Sequence, residues 1–268
     1  MPDQSRFTEA DRIRAIEENG AEFLLAMGRA AGAEEYCTPE IHWVIGSSPI
    51  DYHNCVVRAQ LAPDTADAAI SASIERFEVH GVPGSWHVGP SMQPPDLGDR
   101  LRRHGFVEAE EDIGMAIHLG ELPEAVPVPE SFKIERVVDE RGLTAWTSVI
   151  ARSFGEGEPE AAWVGEVYRR IGFSDEVPWR HFLGRLAGEP VATATLFAGA
   201  AGVYFVSTLP SARRQGIGAA MTLAGLRAGW DLGRHLGVLG SSGAGYPVYR
   251  RMGFREHCRI RLYEWRAP

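Results

Sequence analysis

A short motif occurs twice in this chain, and the repetition constrains the fold more than any other sequence feature. Leu101-Arg-Arg-His-Gly-Phe106 matches Tyr249-Arg-Arg-Met-Gly-Phe254 at four of six positions, with an offset of 148 residues. Each copy lies between a short predicted strand and a final predicted strand. Because the order of the predicted elements around the copies is also shared, we interpret the chain as two copies of one architecture.

A proline-rich segment separates the two copies. Residues 121–130 (ELPEAVPVPE) hold three prolines and have neither helical nor strand periodicity, which is typical of a linker. A cut after residue 125 divides the net charge of −9 into −13 for residues 1–125 and +4 for residues 126–268. The sequence therefore predicts two domains with these bounds, and we expect an anionic ligand to bind the second.

Hydrophobic periodicity predicts that strands and helices are mixed in both halves. In the second half, strands are predicted at 132–137, 179–186, 191–197, 202–208, 236–241 and 259–265, and helices at 139–154, 159–171, 217–235 and 247–252. In the first half, strands are predicted at 41–45, 54–61, 86–89 and 115–119, and helices at 10–31, 64–80 and 97–104. Residues 191–209 carry no charge, but the turn signal at 198–202 favours a strand hairpin over a membrane span.

Composition argues against several classes of protein. Lys133 is the single lysine among 27 basic residues, and its surroundings match neither a P-loop nor a pyridoxal phosphate site. Three widely spaced cysteines and the polar N-terminus favour a cytoplasmic protein without a disulfide scaffold, and no metal-ligand spacing is present. Ser242 lies in a faint nucleophile-elbow pattern, but no aspartate follows it, which argues against a hydrolase. The acidic total charge argues against binding of nucleic acid.

The strongest functional signal lies at a predicted strand-to-helix junction, residues 208–220 (TLPSARRQGIGAA). Gly216 and Gly218 allow the backbone to approach a ligand closely, and a helix N-terminus presents unpaired N–H groups and the positive end of its dipole. Arg213 and Arg214 add positive charge. The junction therefore predicts a pyrophosphate-binding turn, and Met221 at the position of a third glycine distinguishes it from a Rossmann fingerprint.

Two motifs resemble those of the GNAT acetyltransferase superfamily. Residues 213–218 (RRQGIG) are similar to the family's R/Q-x-x-G-x-G/A signature after the fourth strand. Residues 249–254 (YRRMGF) are similar to its Y-x-x-x-G-F motif before the last strand, and the predicted element order over 132–265 agrees. The resemblance implies an α/β (α+β) fold with two GNAT-like domains, each a mixed, mostly antiparallel sheet flanked by helices.

The resemblance also implies acetyl-CoA, or another acyl-CoA, as cosubstrate and a primary amine of a small molecule or peptide as acceptor. Tyr249 would take the place of the family's general acid, which protonates the departing thiolate. Backbone groups on the preceding strand would pair with the pantetheine arm, and the junction would hold the pyrophosphate. The implied cofactor-binding residues are Val206, Ser207, Thr208, Arg213, Arg214, Gln215, Gly216, Ile217, Gly218, Ala219 and Ser242.

The general base and the acceptor stay open, because residues 202–208 contain no carboxylate where many relatives place a glutamate. A water chain could serve, or one of the substrate-side residues Glu156, Glu158, Asp175, Glu176 and His181. Trp163 and Trp179 either line an acceptor pocket or pack in the core.

The first half departs from the family, since it lacks the glycine pair and has Leu101 at the position of Tyr249. We interpret it as a degenerate copy. The alternative function is a non-catalytic acyl-CoA-binding or regulatory protein. We expect a monomer or homodimer without nucleic-acid or membrane partners.

Overall fold

The computed structural model describes residues 7–153 and 157–267, apart from the side chain of residue 110. Its helices are α1 (Glu9–Ala31), α2 (Ala66–His80), α3 (Leu97–Arg103), α4 (Glu140–Ser153), α5 (Glu158–Ile171), α6 (Ile217–Asp231) and α7 (Tyr246–Arg251). Its strands are β1 (Glu34–Cys37), β2 (Ile41–Ile45), β3 (Cys55–Ala59), β4 (Gly84–Val88), β5 (Val107–His118), β6 (Phe132–Arg136), β7 (Trp179–Leu186), β8 (Glu189–Ala198), β9 (Ala201–Thr208), β10 (Leu236–Ser241) and β11 (Arg255–Trp265).

The described chain forms two compact units, and each takes residues from both halves of the sequence. The first unit comprises Met1–Asn19 and Gly114–His257, and the second comprises Gly20–Ile113 and Cys258–Pro268. The predicted boundary between residues 125 and 126 therefore does not coincide with this division. Strand pairing is the physical reason, because β11 lies antiparallel beside β4 in the second unit, while β5 lies beside β10 in the first.

In the first unit the sheet order is β6-β7-β8-β9-β10-β5. Strands β6 to β9 form an antiparallel meander, whereas β10 runs parallel to β9. The uncharged stretch 191–209 thus forms the predicted hairpin of β8 and β9. Among the described residues, no helix combines the length and the apolar character needed to cross a bilayer.

Helix α6 ends at Asp231, four residues before the predicted end at 235. The reason is Gly233, which adopts a left-handed conformation with φ +75°. The N–H of Arg234 then bonds to the carbonyl of Gly229 at 3.0 Å, and this Schellman-type closure satisfies the last carbonyls of the helix.

In the second unit the sheet order is β1-β2-β3-β4-β11, with β3 and β4 parallel and the other pairs antiparallel. Its core includes Trp86 on β4, Phe77 on α2, and Tyr263 and Trp265 on β11. Both units are therefore mixed, mostly antiparallel sheets with flanking helices, and this confirms the predicted fold class.

Candidate functional site

Strands β9 and β10 separate soon after they begin to pair. Their register within the described chain consists of Ala201↔Gly237 and Gly202↔Val238, while β9 continues to Thr208. The opposite edge of β9 is paired with β8 along the strand, apart from one irregularity. The predicted ligand residues Val206, Ser207 and Thr208 therefore lie where the β10 side of the strand has no strand partner, and an extended ligand can pair there like an added strand.

A β-bulge interrupts β9 in the middle of this unpaired segment. The register moves from Thr193↔Ser207 to Thr195↔Tyr204, so that β9 has one more residue than β8 between these pairs. Phe205 lies in the bulge with φ +49°, a left-handed conformation that is rare for a bulky residue. The hydroxyl of Thr193 donates to the Phe205 carbonyl at 2.8 Å and also bonds to the Ser207 hydroxyl at 2.8 Å.

The junction after β9 forms a turn that directs backbone N–H groups outward. Arg214 and Gly216 both have left-handed conformations, with φ +66° and +77°. The first backbone hydrogen bond of α6 runs from the N–H of Ala220 to the carbonyl of Gly216. The N–H groups of the three preceding residues, Ile217, Gly218 and Ala219, have no acceptor among the described residues. We call residues 214–219 the amide nest; such a concave set of donors at a helix start is suited to an anion.

Side chains around the nest add positive charge at its edge. Arg213, Arg214 and Gln215 are exposed. The Nε of Arg213 donates to the Thr208 carbonyl at 2.9 Å, which fixes this guanidinium at the end of β9. The carbonyl of Pro127, in the linker, lies against Gly216 in the space where a side chain would be.

Tyr249 lies on α7, half-buried, with its ring centroid 5.8 Å from that of Phe254. Burial raises the pKa of Tyr249 to about 12, while a smaller opposing effect comes from its hydrogen bond with the Thr222 side chain. The Thr222 hydroxyl in turn donates to the Gly218 carbonyl at 2.9 Å. The predicted acid and the amide nest therefore meet at the same end of α6, and the phenol keeps its proton at neutral pH.

Ser242 shapes the turn from β10 into α7. It is exposed, its carbonyl accepts the N–H groups of Gly245 and Tyr246, and its hydroxyl accepts the Gly245 N–H at 3.3 Å. Its role toward a cofactor stays a prediction, as do the roles of the other predicted site residues.

The residues proposed as a general base differ in their exposure and in their partners. Glu158, Asp175 and Glu176 are exposed, and Asp175 forms ion pairs with Arg136 at 2.6 Å and Arg180 at 3.6 Å. Glu156 lies outside the described residues. No group of three or more potential metal-ligating side chains is found in the part of the chain that the structure describes.

His181, the remaining candidate, is buried below the bulge. Its Nδ1 bonds to the Thr195 hydroxyl at 2.9 Å. Burial, assisted by the positive charges of Arg136 and Arg180, lowers the pKa of His181 to about 3, so the imidazole is neutral at pH 7. Trp163 is half-buried, whereas Trp179 is buried and packs against Phe197 with 4.9 Å between ring centroids.

Sequence reasoning missed three residues around the bulge: Trp146, Tyr168 and Thr193. Trp146 and Tyr168 occupy ordinary core positions of α4 and α5, so no pattern distinguishes them. Thr193 and Thr195 alternate in the otherwise apolar strand β8, and this spacing was the one available signal of a polar line on one face.

Comparisons with known proteins support the fold. No protein-family model matches the chain, and no curated protein sequence matches it either. Among solved structures, a GCN5-related N-acetyltransferase from Kribbella flavida has a TM-score of 0.73 at 20% identity, with 94% of this chain and 96% of that chain covered. A tandem GNAT protein from the clavulanic acid biosynthesis pathway has a TM-score of 0.56 at 13% identity, with the same coverage of both chains. A GCN5-related N-acetyltransferase from Sphaerobacter thermophilus has a TM-score of 0.60 at 17% identity, covering 79% of this chain and 72% of that one. The chain therefore has the fold of the GCN5-related N-acetyltransferase (GNAT) superfamily, over a length that includes both halves of its sequence.

Proposed function

We propose that this protein transfers an acetyl group from acetyl-CoA to a primary amine of a small molecule or peptide by direct attack. The observation that carries the proposal is the continuity between the unpaired edge of β9 and the amide nest. An extended thioester arm that ends in a pyrophosphate requires this sequence of backbone groups: strand-like pairing followed by several free N–H donors. Similarity to solved N-acetyltransferases supports the same class of reaction.

The reaction needs little from side chains. The amine nitrogen forms a C–N bond with the thioester carbonyl carbon, the C–S bond breaks, and the proton that nitrogen loses balances the proton that sulfur gains. Backbone donors beside the Phe205 bulge can stabilise the charge that develops on oxygen. Tyr249 is protonated at neutral pH, with a pKa that burial raises to about 12, and can supply its proton to the sulfur.

The alternative is a protein that binds acyl-CoA without turnover. Its support is the composition of β9, since residues 201–208 contain no carboxylate to accept a proton from the amine. The proposal also includes a small-molecule or peptide amine as acceptor and a cytoplasmic location. It further includes a monomeric or dimeric state without nucleic-acid or membrane partners.

Thermal shift and thiol release together test the proposal. Acetyl-CoA at 100 times its dissociation constant should stabilise the protein by about 2.7 kcal/mol. In the presence of an amine panel, free thiol should then appear, and Tyr249→Phe should lower kcat by about 100-fold or more without loss of binding.

Tyr246→Phe is the matched control, because Tyr246 lies on the same helix and is also half-buried. Binding without thiol release from any amine would favour the alternative. Absence of a thermal shift with both acetyl-CoA and CoA would overturn both readings.

A further inference from the structure

Several buried polar atoms in the first unit have no well-formed hydrogen bond within the described chain, and three of them belong to neighbouring rings. They are Nε1 of Trp146, Nε2 of His181 and the hydroxyl oxygen of Tyr168, whose nearest polar neighbour is the Thr195 side chain. The ring centroids of His181 and Tyr168 are 4.0 Å apart, and Trp146 lies 5.5 Å from Tyr168 and 5.6 Å from His181. We call these three residues the Trp146 cluster; they are 0%, 0% and 3% exposed.

Such a concentration of unmatched polar atoms is costly. Each buried group without a partner costs about 1–3 kcal/mol, whereas phenylalanine at positions 146 and 168 would leave no such group. The cluster is also oriented, because the hydrogen bond between Nδ1 of His181 and Thr195 fixes the imidazole ring and leaves Nε2 as the nitrogen without a partner. Unmatched buried groups of this kind point to an occupant that completes their hydrogen bonds.

The cluster lies directly behind the bulge of β9. The ring of Phe205 packs edge-on against Trp146 at 5.5 Å and against Tyr168 at 6.1 Å between centroids. Phe205 belongs to the unpaired segment of β9 that the proposed function assigns to the thioester arm. An occupant of the cluster would therefore lie beside the reacting carbonyl.

The surroundings of the cluster exclude a cation. Burial lowers the pKa of His181 and raises that of Tyr168 well above its usual value, so both are neutral at pH 7. The charged and titratable groups that act on them are Arg136 on β6, Arg180 on β7 and Tyr204 on β9. Asp175 is the carboxylate nearest to this set along the described contacts, but it is exposed and already forms ion pairs with Arg136 and Arg180. An ammonium group at the cluster would therefore lose its hydration without gaining a free counter-charge.

We propose that the Trp146 cluster forms the inner wall of the acceptor site, an inference that rests on the proposed function. The acceptor is then a weakly basic primary amine that binds in its uncharged form. Aryl amines and hydrazides are amines of this class. A neutral amine attacks without first losing a proton to the protein, which accounts for a β9 that carries no carboxylate.

Glu160 is the residue that a competing mechanism would use. It is half-buried in the first turn of α5, and its Oε2 has no partner within the described chain. It precedes Tyr168 by two helical turns, about 12 Å along the axis. If a carboxylate base served strongly basic amines, Glu160 would be the side chain to test.

The experiment compares aniline with benzylamine, two amines of similar size and very different basicity, in the thiol-release assay with the full-length protein. At pH 7 we expect kcat/KM for aniline to exceed that for benzylamine by about tenfold or more. For benzylamine, kcat/KM should rise about tenfold per pH unit up to the amine's own solution pKa. Equal rates, or a lower apparent pKa that Glu160→Gln abolishes, would overturn the inference.

Variants test the residues themselves. Trp146→Phe and Tyr168→Phe should each raise KM for aniline by about tenfold and leave the affinity for acetyl-CoA unchanged. Trp179→Phe is the matched control, because Trp179 is also buried with an unpartnered Nε1 but packs elsewhere, against Phe197. If all three variants leave KM for aniline unchanged, or change it equally, the cluster is not the acceptor wall.

The outcomes separate the two proposals. A protein that binds acetyl-CoA and releases thiol, yet shows no preference for weakly basic amines, contradicts only the acceptor assignment. A protein that acetyl-CoA does not stabilise contradicts the proposed function and the assignment with it. The wild-type pH profile needs no substitution, so the test holds even if a cluster variant fails to fold.

Discussion

At the scale of single residues, the strained conformation of Phe205 is the feature on which the site depends. A bulky side chain at φ +49° costs about 1–3 kcal/mol and persists only where its neighbours enforce it. Thr193 provides that restraint through its hydrogen bond to the Phe205 carbonyl, and the rings of Trp146 and Tyr168 hold the side chain. We therefore regard Thr193 as a positioning residue for the proposed transfer.

Thr193→Val should remove this restraint while it preserves the shape of a fully buried side chain. We expect a loss of about 1–3 kcal/mol in the free energy of unfolding, measured with denaturant, because the Phe205 carbonyl loses a partner. We also expect kcat to fall more than the affinity for acetyl-CoA. Thr193→Ser keeps the hydroxyl and should restore kcat; equal losses in both variants would contradict the role of the hydrogen bond.

The residues of the site differ in how far the sequence could predict them. The amide nest and Tyr249 could be predicted because each lies in a contiguous motif of a few residues. Trp146, Tyr168 and Thr193 lie on three different elements, α4, α5 and β8, and only the packing of those elements brings them together. The conformation of Phe205 was equally hidden, since no glycine marks the bulge.

At the scale of elements, the start of α6 depends on Gly216 for two reasons. The residue has φ +77°, and the carbonyl of Pro127 occupies the space where a side chain would be. Gly218 differs, because a Cβ there would meet only the Thr208 hydroxyl at an ordinary 3.6 Å. Gly218 should therefore tolerate substitution by alanine, whereas Gly216 should not.

Gly216→Ala should lower the free energy of unfolding by about 1–3 kcal/mol, because alanine is strained in this conformation. The same change should weaken acetyl-CoA binding by about tenfold or more, since the nest must shift to relieve the collision with Pro127. Calorimetric titration measures the affinity. Gly218→Ala is the control and should bind within about threefold of wild type; equal effects at both positions would contradict the distinction.

Most elements were predictable from periodicity, and the exceptions have physical causes. β1 (Glu34–Cys37) was missed because its sequence, EEYC, is mostly exposed and its structure depends on pairing with β2. β5 begins at Val107, eight residues before the predicted start, in a charged stretch whose apolar alternation is interrupted at Glu111. Pairing with neighbouring strands, and not local sequence, therefore determines where β1 and β5 form.

At the scale of the whole molecule, the two copies of the fold have diverged in one decisive place. In the second unit, backbone bonds close the gap that β9 and β10 leave open in the first. The N–H of Gln93 donates to the Ala59 carbonyl at 3.0 Å, and the N–H of Leu61 donates to the Gln93 carbonyl at 3.2 Å. The groups that would pair with a pantetheine arm are already bonded there.

We therefore expect one acetyl-CoA site per chain. Calorimetric titration of the full-length protein should give a stoichiometry near one, because among the described strands only β9 presents an unpaired edge followed by a nest. Gly216→Ala should weaken that single site. Saturation at two molecules per chain, or binding that is insensitive to Gly216→Ala, would contradict this expectation. Either result would indicate that acetyl-CoA also binds the second unit.

The pairing of β11 with β4 also has a consequence for the order in which the protein can fold during its synthesis. The helices and the other four strands of the second unit leave the ribosome first, but β11, which supplies Tyr263 and Trp265 to their core, is translated after every other strand. Until then, the apolar surface beside β4 has no cover. During synthesis this unit would therefore stay incomplete while more than a hundred further residues emerge.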